Sequence, residues 1–138
     1  MEELFISIGA RWDATPVGDA IRALATGGLH LSEAYQGAMT STFKPYVVYF
    51  ALPGAVSNTN TTTMEEVAIQ FSIFCPDEDG ASTCVQIRDA LVALYDDVRL
   101  TMGGGFEMTR AIRQTAGQFL KEPEQGYACH IDYVFMYE

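Results

Sequence analysis

Positive charge is scarce in this chain: 8 Lys and Arg stand against 18 Asp and Glu, for a formal net charge of -10. Proteins that grip DNA by its phosphates rely on Lys and Arg to displace counterions, so this balance argues against such binding. Cysteine is also scarce. Cys75, Cys84 and Cys129 make an odd number with no CxxC pair, which fits neither a disulfide framework nor a zinc site. Buried thiols in a reducing compartment are expected. No apolar run is long enough to cross a bilayer, and "MEELFISIG" carries acids where a signal peptide needs positive charge. A cytoplasmic product with no membrane partner follows as the expectation.

Motifs for chemistry are missing as well. His30 and His130 lie in unrelated segments, and no HxH, HExxH or GxSxG pattern occurs. "GGG" at 103–105 is not followed by the Lys-Ser or Lys-Thr of a phosphate loop, and the acids of "DEDG" lack calcium-loop spacing. "NTT" at 60–62 matches a glycosylation acceptor in form only, as no secretion signal accompanies it. No catalytic, metal or cofactor site is predicted.

What is present is a core and strong periodicity. The chain has 138 residues, 49% hydrophobic and 19% charged, enough for a single domain over 1–138 with a core that needs no staples. Leu4, Phe5, Ile8 and Trp12 recur at helical spacing, and Thr15-Pro16 reads as an N-cap with proline at the first helical position. Val17, Ile21 and Leu24 would line that second helical piece, which Gly27-Gly28 ends. "LHLSEAY" is a short extended piece. "PYVVYFAL", 45–52, is a strand that Pro53-Gly54 ends.

Six small polar residues then lead into a long alternating strand. Val67, Ile69, Phe71, Ile73 and Cys75 share one face, while Glu66, Ala68, Gln70, Ser72 and Phe74 share the other. Its eleven or so residues reach roughly 35 Å, so only part of it is expected to lie over a core this small. Asp77, Glu78 and Asp79 suit a helix N-terminus. Cys84, Ile87, Leu91, Leu94 and Val98 form the stripe of the following helix. Phe106 to Leu120 reads as a strand with a bulge near Gln114, "KEPEQG" as a turn, and Tyr127, Cys129, Ile131, Tyr133, Phe135 and Tyr137 as the buried face of a last strand. The order helix, strand, strand, helix, strand, strand predicts an α+β fold: an antiparallel sheet of about four main strands packed against two helices.

The sheet face away from those helices is not uniformly polar. Val47, Tyr49, Phe74, Val134 and Met136 would point outward in this register, and apolar groups on an uncovered face need a partner. A register one residue off, or a covering loop, accounts for them equally. His130 and Asp132 share a strand face, which two residues alone do not make a metal site. The three cysteines fall on apolar faces, as core residues would.

The blocks "KPYVVYFALPG", "EEVAIQFSIFCPDEDGA", "VQIRDALVALYD", "TMGGGFEMTRAIRQ" and "EPEQGYACHIDYVFMYE" occur in an order and spacing that resembles the tail terminator, or tail-completion, family of long-tailed bacteriophages and gene transfer agents, over roughly residues 20–138. The first thirty residues and the acidity depart from that pattern. The resemblance implies a virion protein without catalytic residues. Such proteins form a ring, usually a hexamer, on the last ring of the tail tube, stop its polymerisation and meet the head-side connector. DNA passes through the channel without specific binding. The residues expected at its contacts are Pro53, Gly54, Ser57, Asn58, Thr59, Asn60, Thr61, Thr62, Thr63, Phe74, Val134 and Met136. The polar lead would be an assembly arm, or else an ordinary hairpin tip. Two other readings stand beside it: a head-tail joining protein of similar fold, and a small ligand-binding domain or enzyme with His130 and Asp132 in a cleft.

Overall fold

A computed structural model describes residues 2–32, 43–58, 65–76, 80–115, 117–122 and 126–138. The elements are α1 (Glu2–Asp13), α2 (Asp19–Leu24), β1 (Leu29–Leu31), β2 (Tyr46–Asn58), β3 (Glu65–Cys75), α3 (Gly80–Tyr95), β4 (Met108–Arg113), β5 (Gln118–Glu122) and β6 (Gly126–Tyr137). The strands form one sheet in the order β1-β2-β3-β6-β4, with β5 beside the other half of β6. The α+β class holds. The sheet is mixed rather than antiparallel throughout, because β1 pairs with β2 in parallel.

The helices form where their apolar stripes dictate. Leu4, Ser7, Ile8 and Trp12 of α1 are buried, with Glu2 and Glu3 in its first turn and Arg11 in its last, the arrangement the helix dipole favours. Cys84, Ile87, Leu91, Leu94 and Tyr95 of α3 are buried in the same way. Its stripe was expected to run on to Val98, but Asp97 takes a φ of 52° and turns its N–H to the Ala111 carbonyl at 3.0 Å, beyond the helix end. The acids Asp77, Glu78 and Asp79 lie outside the described residues.

The second helix begins later than its sequence signal. Thr15 to Gly18 form a turn, and the N-cap of α2 is Gly18 instead of Thr15. Arg22 donates to the carbonyls of Trp12 and Ala14, satisfying the end of α1 and fastening the turn to it. A side chain at Gly18 would collide with the Trp12 carbonyl. Val17, expected on the buried stripe, is 44% exposed.

Three strand expectations are corrected. β2 does not stop at Pro53-Gly54 but continues to Asn58. Between the pairs Ala51↔Ile69 and Val56↔Val67 the register shifts, and a proline without an N–H is tolerated where the ladder is interrupted. The single strand expected over Phe106 to Leu120 is two. β4 pairs with Tyr133–Tyr137 of β6 and β5 with Gly126–His130, and between them Gln114 donates to the Asp132 carbonyl at 2.7 Å while Thr115 Oγ1 accepts from the Asp132 N–H at 3.1 Å. Lys121 and Glu122 belong to β5 and Gly126 to β6, while 123–125 lie outside the described residues.

The third concerns the long strand. Val67, Ile69, Phe71, Ile73 and Cys75 of β3 are all fully buried, so the strand lies over the core for its whole length from Val67. Cover comes from α1, α3 and the segment after α3, where Leu100 is buried, and Met108 at the start of β4 is buried too. Phe71 sits at the centre. Its ring stacks on Tyr95 at 4.9 Å and on Tyr49 at 5.9 Å, and meets Tyr133 edge-on at 5.8 Å. The buried tyrosines keep their hydroxyls satisfied: Tyr95 donates to the Ile8 carbonyl at 2.7 Å, Tyr49 to the Phe5 carbonyl at 3.1 Å and Tyr133 to Asp96 Oδ1 at 2.9 Å.

Candidate functional site

All three helices pack on one face of the sheet, and the register defines what the other face presents. Tyr46 pairs with Phe74, and Val48 with Ser72, so β2 turns Tyr46, Val48 and Phe50 outward. β3 contributes Glu66, Ala68, Gln70, Ser72 and Phe74, and β6 contributes Ala128, His130, Asp132, Val134 and Met136. Val47 and Tyr49, expected on this face, lie in the core at 0% and 6% exposure. The sequence reading placed β2 one residue out of phase. Alternation alone cannot say which face of a doubly apolar strand is covered.

The outward face has three zones. At one end Tyr46 stacks on Phe74 at 5.1 Å, with Phe43 and His30 edge-on to Tyr46 at 5.6 and 6.3 Å and His130 edge-on to Phe74 at 6.2 Å. The middle is polar: His130 Nδ1 and Ser72 Oγ are hydrogen-bonded at 2.8 Å, and Gln70 pairs with Asp132 across the strands. Asp132 Oδ1 is buried and has no hydrogen-bond partner among the described residues. The far end mixes apolar and charged groups: Val134 lies between Ala68 and Ile112, and Met136 between Glu66 and Arg110.

The expected contact residues do not form one cluster. Phe74 belongs to the aromatic end. Val134 and Met136 belong to the far end, roughly 20 and 27 Å away along the strand. Ser57 and Asn58 pair with Glu66 and Glu65 at that far end, and Pro53 and Gly54 lie at the register shift of β2. Thr59, Asn60, Thr61, Thr62 and Thr63 lie outside the described residues. Tyr46, Val48 and Phe50 are the residues the sequence reading missed. The signal that would have found them is the Tyr46–Phe74 pairing, which no single strand discloses.

Chemistry finds little support in this geometry. His130 and Asp132 do share the outward face, but no group of three or more His, Cys, Asp or Glu among the described residues could hold a metal. Cys129 points to the core while its neighbour His130 points outward, so the two cannot act as nucleophile and base. Burial, and next the adjacent Cys84, push the Cys129 thiol up to about 12, which keeps it protonated at neutral pH. All three cysteines are free and buried.

No protein-family model matches the chain, and no curated protein matches it either. Among solved structures, a chain from the virion of a native gene transfer agent particle superposes with a TM-score of 0.75 at 15% identity, covering 99% of this chain and 96% of its own. A second solved chain superposes with a TM-score of 0.61 at 16% identity, covering 99% and 92%. Over its full length, this chain therefore shares its fold with a component of a gene transfer agent virion.

Proposed function

We propose that this protein is a structural virion component that closes the tail tube as a hexameric ring, ends tube polymerisation and joins the tail to the head-side connector. The observation that carries the reading is the sheet face opposite the helices. There Phe74, Val134 and Met136 stay half-buried while Tyr46 and Val48 are already buried, so Phe74, Val134 and Met136 are the apolar positions left for a neighbour to cover. The full-length fold match to a gene transfer agent virion chain supports it. In a ring, heterologous contacts close about an axis and bury such surfaces between subunits. The partners are then other copies of the chain, the tail tube protein and the connector or neck protein. Synthesis takes place in the bacterial host cytoplasm and the final location is the virion. A head-tail joining protein of the same fold would use the same surfaces at a neighbouring position.

The polar segment over residues 57–63 serves in this reading as an assembly arm that contacts a neighbouring subunit or the tube protein. The net charge of -10 suits a channel wall that repels DNA phosphates as the genome passes. Light scattering across concentration, with and without tail tubes, tests the proposal. A mass near six times 15.2 kDa, alone or seeded by tubes, is expected. A protein that stays monomeric and ignores tubes would overturn it.

A further inference from the structure

The arginines divide into two groups. Arg22, Arg88, Arg110 and Arg113 each hold a carboxylate of this chain, Asp19, Asp89, Asp97 and Asp96 respectively. Arg11 and Arg99 form no ion pair among the described residues, in a chain with 18 acids. Both line the same cleft of about 270 Å³, between α1 and the 99–101 segment. Ser7, Ala10, Ala14, Leu100 and Thr101 complete its wall, which includes no carboxylate.

The cleft is partly prearranged. Arg11 Nε donates to the Leu94 carbonyl at 3.2 Å, which anchors the guanidinium and leaves its terminal nitrogens for another acceptor. Ser7 Oγ shares its one proton between the Glu3 carbonyl of its own helix at 2.8 Å and the Thr101 carbonyl at 3.0 Å, the latter contact joining the two walls. Arg99 is exposed at the rim. Two planar guanidinium forks on one concave surface suit a carboxylate, which each can bind through paired N–H donors.

We propose that this cleft receives an Asp or Glu side chain of an adjacent copy of this chain. The inference rests on the ring reading and names where one of its contacts forms. Copies that each carry -10 repel one another, and a local meeting of opposite charges offsets that repulsion and fixes the register of the contact. Within the described residues, this cleft is where cationic groups without an internal partner gather, while unpaired acids are plentiful. A heterologous contact, cleft on one subunit and acid on the next, is the kind that closes a ring.

The test is sedimentation velocity on the full chain, with and without tail tubes, for wild type, Arg99→Glu, Arg99→Lys and Thr101→Glu. Both altered side chains are exposed, and unchanged circular dichroism melts would establish folding. Charge reversal at Arg99 is expected to raise the concentration needed for half-assembly by about tenfold or more, with Arg99→Lys close to wild type and Thr101→Glu intermediate. Added salt should narrow the difference between wild type and Arg99→Glu, because it screens the attraction in the cleft. Wild-type rings that Arg99→Glu and Thr101→Glu leave unchanged would overturn this inference and keep the ring. A wild type that never assembles overturns both. Intact Arg99→Glu rings that lose only retention on immobilised DNA would assign the cleft to phosphate and overturn the carboxylate assignment.

Discussion

The two faces of one sheet obey different rules here. On the helix side, every inward residue of β3 from Val67 to Cys75 is fully buried, and tyrosine hydroxyls are tied to backbone carbonyls of α1. On the outward side, the same strand carries the half-buried Glu66, Ala68, Gln70 and Phe74 beside the buried Ser72, and β6 adds Asp132, whose Oδ1 is buried with no hydrogen-bond partner among the described residues. A core face minimises voids and unmet hydrogen bonds because nothing arrives later to correct them. A face that keeps aromatic groups beside an unmet carboxylate oxygen suits a surface whose last neighbours come from another molecule.

The largest effect expected on this contrast comes from Phe71→Ala. Removing the ring at the centre of the aromatic stack should cost about 3–5 kcal/mol in urea unfolding. The corresponding change on the other face, Phe74→Ala, should cost only about 1–2 kcal/mol, because the ring is half-buried and loses mainly its stacking on Tyr46. Equal losses would show that the two faces are packed alike, against the contrast drawn here.

Alkaline pH probes the covered face alone. Cys129 is pushed from 9.0 to about 12, and burial raises Tyr95 and Tyr133 above their ordinary 10.0. These groups hold their protons more tightly folded than unfolded. Their contribution is complete below pH 9 and declines as pH rises, first for the thiol and beyond 10 for the tyrosines. Unfolding midpoints should therefore fall above pH 9, with Cys129→Ala delaying the onset toward 10. A flat profile between 9 and 11 would mean that the thiol is not sequestered.

Smaller still are two outward substitutions. Met136→Lys should change monomer stability by less than about 1 kcal/mol yet reduce assembly, since the residue lies half-buried at the rim of the sheet. Asp132→Asn should leave stability within about 0.5 kcal/mol or raise it slightly, because a neutral amide tolerates the half-buried position better than a carboxylate with one oxygen buried and unmet. A strong loss from Asp132→Asn would reveal a partner for that oxygen and return attention to the His130 end of the polar zone.

Much of the fold was legible. The stripe of α3 and the alternation of β3 and β6 are long patterns with one side wholly apolar, so local periodicity and tertiary burial agree. Legibility failed where two signals competed. Tyr46 to Phe50 is apolar on both sides, which leaves alternation without a phase. Pro53-Gly54 reads as a stop, yet the strand resumes after a register shift. Thr15-Pro16 reads as a helix start, but the bonds from Arg22 to the carbonyls of Trp12 and Ala14 hold that segment as a turn. The candidate surface was legible only in part: Phe74, Val134 and Met136 carry an outward phase, while Tyr46 and Val48 do not.

By itself, the sequence determined the α+β class, the inward faces of β3 and β6, the stripes of α1 and α3, and the burial of three thiols. All follow from the periods of hydrophobic residues, a property of the chain read one window at a time. Only tertiary structure decided the parallel pairing of β1, the division of the edge into β4 and β5, the phase of β2, and the meeting of Arg11 with Arg99 in one cleft. Each depends on which distant residues face one another, and pairing across a sheet or between a helix and a loop is set by the packing of the whole core.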